Sequence, residues 1–212
     1  MSHRVDPGFG GERALGDKCA LPSSLYTGVR YKPLLTGGMA LLAGGAMPLA
    51  FAPVGWAWLA VIALATFFVL TAQSSRRQAL WSAYLFGLGY FGVGVSWVFI
   101  SISQYGNGPV VGMLATAAFV SLLALFPWGV AYLVRCLRPE MDAMALWLGL
   151  PAAWVLSEWM RTWFLTGFPW LFIGYSQTDT TLATIAPVFG VLGVSLLVAL
   201  LAGGLAWIVQ GP

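Results

Sequence analysis

Residues 188–209 read VFGVLGVSLLVALLAGGLAWIV, an unbroken run of apolar and small residues without one charge. At about 20 apolar residues per crossing, such a run spans a bilayer as a helix, because lipid offers the backbone no other hydrogen-bond partner. Working back toward the N-terminus, five more blocks share its character: about 34–51, broken by Pro48; 56–72, after the tight turn Ala52-Pro53-Val54-Gly55; 79–103; 110–137, carrying Pro127; and 143–165. The sequence predicts an all-α fold, a polytopic membrane helix bundle of about six transmembrane helices over 34–212. A polar tail of mixed charge, residues 1–33, precedes it.

Composition agrees. Only 8% of the 212 residues are charged, against about a quarter in a typical soluble domain. Ten basic and seven acidic side chains cannot cover a water-soluble protein of 22.7 kDa. The 11 Trp and 26 Gly suit a bundle in lipid, where indoles favour the headgroup boundary and glycine lets helices approach closely.

The net charge of +3 and the pI near 9.1 come from basic residues in short pairs between apolar blocks, not from a stripe that would track a phosphate backbone. Nucleic acid is therefore excluded as a partner. Arg30 with Lys32, Arg76 with Arg77, and Arg135 with Arg138 occupy every second loop, and loops 52–55, 104–109 and 167–187 hold no Lys or Arg. That alternation predicts a cytoplasmic N-terminus. The tail is too long for an ordinary cleaved signal peptide. The last block runs into Trp207-Ile208-Val209-Gln210-Gly211-Pro212 with no basic flank, which reads as a chain cut short.

Cys19 and Cys136 are too few for a disulfide framework, and the single histidine, His3, lies in the tail. No metal site and no cofactor are expected. Gly87-Leu88-Gly89-Tyr90-Phe91-Gly92 matches the dinucleotide fingerprint by letter, but it sits inside an apolar block, not between a strand and a helix. Gly89, Gly92 and Ser96 share one helical face and suit close helix packing instead.

Glu158 and Arg161 are the only charges well inside a block. Three apart, they share a helix face and can pair; each costs about 2.5–3.5 kcal/mol at a bilayer centre. In a helix starting near Ala143, Glu158 lies about 22 Å along, in the outer half of the membrane. Two readings stand: an outward-facing site for a lipid headgroup or polar acceptor, and a structural ion pair with a snorkelling arginine. The following segment, Trp163-Phe164-Leu165-Thr166-Gly167-Phe168-Pro169-Trp170, leads into Gly174-Tyr175-Ser176-Gln177-Thr178-Asp179. It reads as an outer loop along the membrane surface, with an interfacial aromatic belt as its plainer meaning. Ser96-Trp97-Val98, with Ser101, Ser103 and Gln104, closes the third block with a similar edge. Two such edges suggest a cleft open sideways to the outer leaflet.

These segments resemble the membrane portion of the bacterial apolipoprotein N-acyltransferases. The resemblance rests on Leu49-Ala50-Phe51-Ala52-Pro53, Ser96-Trp97-Val98, Glu158-x-x-Arg161 and Leu165-Thr166-Gly167-Phe168-Pro169-Trp170, followed by Gly174-Tyr175-Ser176-Gln177 and Ala186-Pro187. It implies an inner-membrane acyltransferase of lipoprotein biosynthesis, with its functional face in the periplasm. The acyl chain would pass from a phospholipid donor, by way of a cysteine thioester, to the amine of a diacylglyceryl-cysteine lipoprotein acceptor. In that family the cysteine, with a Glu base and a Lys, belongs to a nitrilase-like domain inserted between the last two of eight membrane helices. This sequence stops in the sixth block, and neither Cys19 nor Cys136 has that setting. No catalytic residue is therefore expected here, and the nitrilase-like domain becomes an expected partner. The expected substrate-binding edge is Glu158, Arg161, Thr166, Phe168, Trp170, Tyr175 and Gln177. A small-solute transporter or channel and a non-catalytic membrane scaffold are the competing readings.

Overall fold

A computed structural model describes residues 33–106, 108–164 and 167–211. The tail at 1–32, with His3 and Cys19, and Thr166 of the expected edge lie outside the described residues. Among the described residues eight α-helices follow in order: α1 Pro33–Ala46, α2 Trp58–Gln73, α3 Arg76–Gly94, α4 Trp97–Tyr105, α5 Pro109–Leu123, α6 Leu125–Leu137, α7 Leu150–Met160 and α8 Ala186–Gln210. Among the described residues there is no strand.

Among the described residues three stretches are long and apolar enough to cross a membrane: Pro33–Ala50, Pro109–Leu137 and Thr181–Gln210. A fourth forms if α3 and α4, bent by 54° at the Val95–Ser96 break, count as one span. The expected blocks at 56–72 and 143–165 do not reach that length as single helices. α2 has only 16 residues, and the other block divides into a π-turn at Ala145–Gly149 and the 11 residues of α7. Proline and glycine account for several interruptions. Pro127 has no N–H to return to Leu123, and the helix breaks at Ala124. Gly190 takes a left-handed φ of 67° inside α8, which kinks there.

Close contact, not a stripe of large side chains, joins α1 to α3. A Cβ on Gly89 would run into the Leu41 carbonyl, and one on Gly44 into the Phe86 carbonyl. Gly87 meets Ala124 in the same way. The apparent dinucleotide fingerprint is thus a helix-packing face, carried by Gly87 and Gly89, whereas Gly92 meets only the tip of Val120.

α3 also packs on α2, α5 and α6, which places it at the centre of the bundle. Its face carries the aromatic core. Phe86 and Phe67 lie 4.9 Å apart, and Phe67, Phe86 and Tyr90 surround Trp154 of α7 at 5.8–6.3 Å. All four rings are at most 2% exposed. Each buried aromatic removes a large apolar area from contact with its surroundings, and tilted ring pairs add about 0.5–1.5 kcal/mol. This cluster fixes where α7, and with it Glu158, stands relative to α3.

Candidate functional site

Trp154 has a polar end to satisfy. Four residues on, one turn up α7, its indole N–H donates to Glu158 Oε1 at 3.0 Å. The same oxygen accepts the backbone N–H of Ile173 at 2.8 Å and lies 3.9 Å from Arg161 Nη2. Glu158 is wholly buried and Arg161 is 2% exposed. The guanidinium does not reach the surface. Its Nη1 donates to the Trp170 carbonyl at 2.8 Å, and its carbon lies 5.0–5.9 Å from the rings of Phe91, Phe126 and Phe172. Taking two charges out of water costs several kcal/mol per ion, of which these hydrogen bonds and ring faces return a part, Glu158 Oε2 and Arg161 Nε making no hydrogen bond among the described residues.

The partners of this pair are mostly backbone groups of one segment, residues 168–177. That segment is irregular, with Leu171 at a φ of 57° and a short 3₁₀ turn at Ile173–Gln177. Irregular backbone that is buried needs protein groups to satisfy it. Here they come from four directions. Phe168 N–H donates to the Arg161 carbonyl at 2.6 Å, Tyr90 Oη donates to the Leu171 carbonyl at 2.5 Å, and Gly174 N–H donates to Ser195 Oγ of α8 at 2.9 Å. Gln177 Nε2 donates to the Ala57 carbonyl at 3.1 Å, so the segment is also tied to the turn before α2.

Of the residues expected at the edge, Glu158, Arg161 and Gln177 therefore lie inside the tether. Phe168 is half-buried, and Trp170 and Tyr175 stand out from it, 52% and 47% exposed. Trp170 lies 5.7 Å from Trp97 and 6.4 Å from Phe168, and Tyr175 stacks on Phe172 at 6.1 Å. The two aromatic edges read from the sequence meet through Trp97 and Trp170. Ser101, Ser103 and Gln104 continue along α4, packed on α5, and make no hydrogen bond to the segment.

Sequence reasoning missed Tyr90, Trp154 and Ser195. Each left a signal, a polar tip inside an apolar block, which in lipid must find a partner. Among the described residues no group of three or more His, Cys, Asp or Glu sits together.

Among the described residues, three to four bilayer-length helices, no strand, and an aromatic segment tethered inward after α7 define a membrane protein. The model of the family described as Apolipoprotein N-acyltransferase N-terminal domain matches residues 43–204. Curated relatives named Apolipoprotein N-acyltransferase include one from Methylococcus capsulatus, 49% identical over 185 residues, covering 81% of this chain and 35% of the relative. One from Coxiella burnetii is 42% identical over 168 residues, covering 78% and 34%, and one from Vibrio cholerae is 40% identical over 172 residues, covering 80% and 34%. The chain belongs to the apolipoprotein N-acyltransferase family, as a bacterial membrane protein. It spans about a third of the length of these relatives.

Proposed function

We propose that this chain is the membrane portion of an apolipoprotein N-acyltransferase. It admits the phospholipid donor and the diacylglyceryl lipoprotein acceptor sideways from the bilayer and orients their heads toward the acyl-transferring domain. The observation that carries this reading is the segment 168–177. Buried charges bond its backbone from within, while Trp170 and Tyr175 project outward, about half exposed. An aromatic ring with a polar tip or edge suits the boundary between acyl chains and headgroups. Glu158, Arg161 and Gln177 act as positioning residues. Trp170, Tyr175 and Phe168, with Thr166 beside them in sequence, form the edge that meets substrate. Transfer itself, from phospholipid to a cysteine thiolate and then to the acceptor amine, belongs to the nitrilase-like domain of the longer family members.

We further propose six crossings with the N-terminus and the Arg76 and Arg135 ends in the cytoplasm. Alternation of basic residues between loops supports this orientation. α2 covers about 24 Å and exposes Trp58 and Ile62 along its side, as a lipid-facing helix does. The segment 168–177 then lies at the periplasmic face of the inner membrane.

Alanine variants of Trp170 and Tyr175, made in a family member of full length, test the edge. Acylation of a diacylglyceryl lipopeptide is expected to fall by about tenfold, with stability within about 0.5 kcal/mol of the parent, as for exposed positions. Unchanged acylation kinetics in both variants would remove these residues from the site.

A further inference from the structure

Between the exposed ring of Trp170 and the buried turn at Ile173, one residue sets the direction of the chain. Leu171 has a φ of 57°, a left-handed conformation that brings Cβ close to the following carbonyl oxygen and persists where neighbours enforce it. Glycine is the usual occupant of such a position. Two residues of α3 enforce it here. Tyr90 Oη donates to the Leu171 carbonyl at 2.5 Å. One turn further along, Gly94 leaves the space into which the Leu171 side chain packs: a Cβ there would overlap Leu171 Cδ1 and crowd its Cγ and Cδ2 at 3.3 Å. The leucine is buried in consequence.

The preceding peptide is bound as well, because Arg161 Nη1 donates to the Trp170 carbonyl at 2.8 Å. In an extended strand successive residues face opposite sides. Here the carbonyls of Trp170 and Leu171 are both taken from the interior, which the left-handed turn between them allows. With the peptide planes on both sides of Leu171 bound, the Trp170 ring is left facing out. Packing alone does not call for a tyrosine at position 90. Its ring sits among Phe86, Phe91 and Trp154, where a phenylalanine would pack as well. The hydroxyl has the Leu171 carbonyl as its hydrogen-bond partner.

We propose that Tyr90 and Gly94 are positioning residues for the substrate edge: they hold Leu171 left-handed and thereby turn Trp170 toward the substrate. What Trp170 meets rests on the lipid-access reading; how Trp170 is set does not.

The test labels the whole chain with fluorotryptophan in lipid nanodiscs and follows the fluorine resonance of Trp170, assigned by its loss in Trp170→Phe. Tyr90→Phe, which keeps the ring, is expected to shift or split that resonance, and Gly94→Ala to do the same. Trp207, about 18 Å along α8 from Ser195, is expected to keep its own resonance, which a general loosening would move. In a Leu171→Gly background the Tyr90→Phe shift is expected to be smaller by about twofold or more, since glycine takes a positive φ without the Cβ penalty. In a full-length family member carrying residues 33–211 of this chain, Tyr90→Phe is expected to raise KM for a diacylglyceryl lipopeptide about threefold and to leave kcat within about twofold, as for lost ground-state binding. A Trp170 resonance unmoved by both α3 variants, or moved equally with and without Leu171→Gly, would overturn the positioning role, as would a loss in kcat with KM unchanged. Trp170→Ala with unchanged acylation would instead sink the edge reading, and the resonance would still decide what sets Trp170.

Discussion

Removing the Glu158 carboxylate is the most informative perturbation of the tether. Its Oε1 receives the Ile173 N–H at 2.8 Å and the Trp154 indole N–H at 3.0 Å, with Arg161 at 3.9 Å. Glu158→Ala leaves two buried neutral donors without an acceptor, at about 1–3 kcal/mol each. It also leaves a guanidinium that is 2% exposed without its counter-charge, for which breaking a buried pair costs about 3–5 kcal/mol. These contributions overlap, because Arg161 keeps the Trp170 carbonyl and three ring faces. A net loss of about 4 kcal/mol is expected, a large part of the 5–15 kcal/mol typical of a folded domain. Glu158→Gln retains an oxygen for both neutral donors and is expected to lose about 2 kcal/mol. Tyr90→Phe removes a single bond to the Leu171 carbonyl, for about 1–2 kcal/mol. The assay is reversible denaturant unfolding in micelles, followed by tryptophan fluorescence, with amide hydrogen exchange at Ile173 and Gly174. Faster exchange at those two amides should accompany the loss. Glu158→Ala within about 0.5 kcal/mol of the parent, with unchanged exchange at Ile173, would refute the tether.

Two further outcomes follow from the packing and the proposed topology. Gly89→Ala drives a methyl into the backbone of α1 and is expected to cost about 1–3 kcal/mol. Gly38→Ala, facing open space on the same helix pair, is expected to be neutral or to stabilise by up to about 1 kcal/mol, and equal effects would contradict the close approach. In a background with Cys19 and Cys136 changed to serine, a single cysteine at Val54 is expected to react with an impermeant maleimide in intact cells. One at Ser75 is expected to react only after lysis, and the reverse pattern would invert the proposed orientation.

The all-helical fold was legible because a chain with so few charges leaves helices as the economical way to satisfy backbone in lipid. The family was legible from the runs around Glu158, Arg161 and Trp170. The interruptions were less so. Pro127 and Gly190 announce their kinks, but nothing in Gly94-Val95-Ser96 marks a 54° bend, nor does 143–165 announce a π-turn. The site shows the same division. Glu158 and Arg161 stand out by charge, yet whether they face out to a headgroup or in to the backbone depends on where residues 168–177 return. That return is set by donors and acceptors contributed from α3, from α8 and from the turn at Ala57, far apart in sequence. A tyrosine inside Gly89-Tyr90-Phe91 carries no mark of its partner, a carbonyl more than eighty positions away.

On the proposed function, this chain supplies a membrane portion able to serve acyl transfer. The most direct measurement places its residues 33–211 in the Methylococcus capsulatus relative in exchange for the corresponding segment. N-acylation of a diacylglyceryl lipopeptide is then followed in membranes of a host depleted of its own enzyme. A correctly inserted chimera is expected to acylate at a rate within about tenfold of the relative, and to lose most of this rate on Trp170→Ala. A chimera that inserts and folds, keeps its thioester-forming domain intact, and still transfers nothing would contradict it.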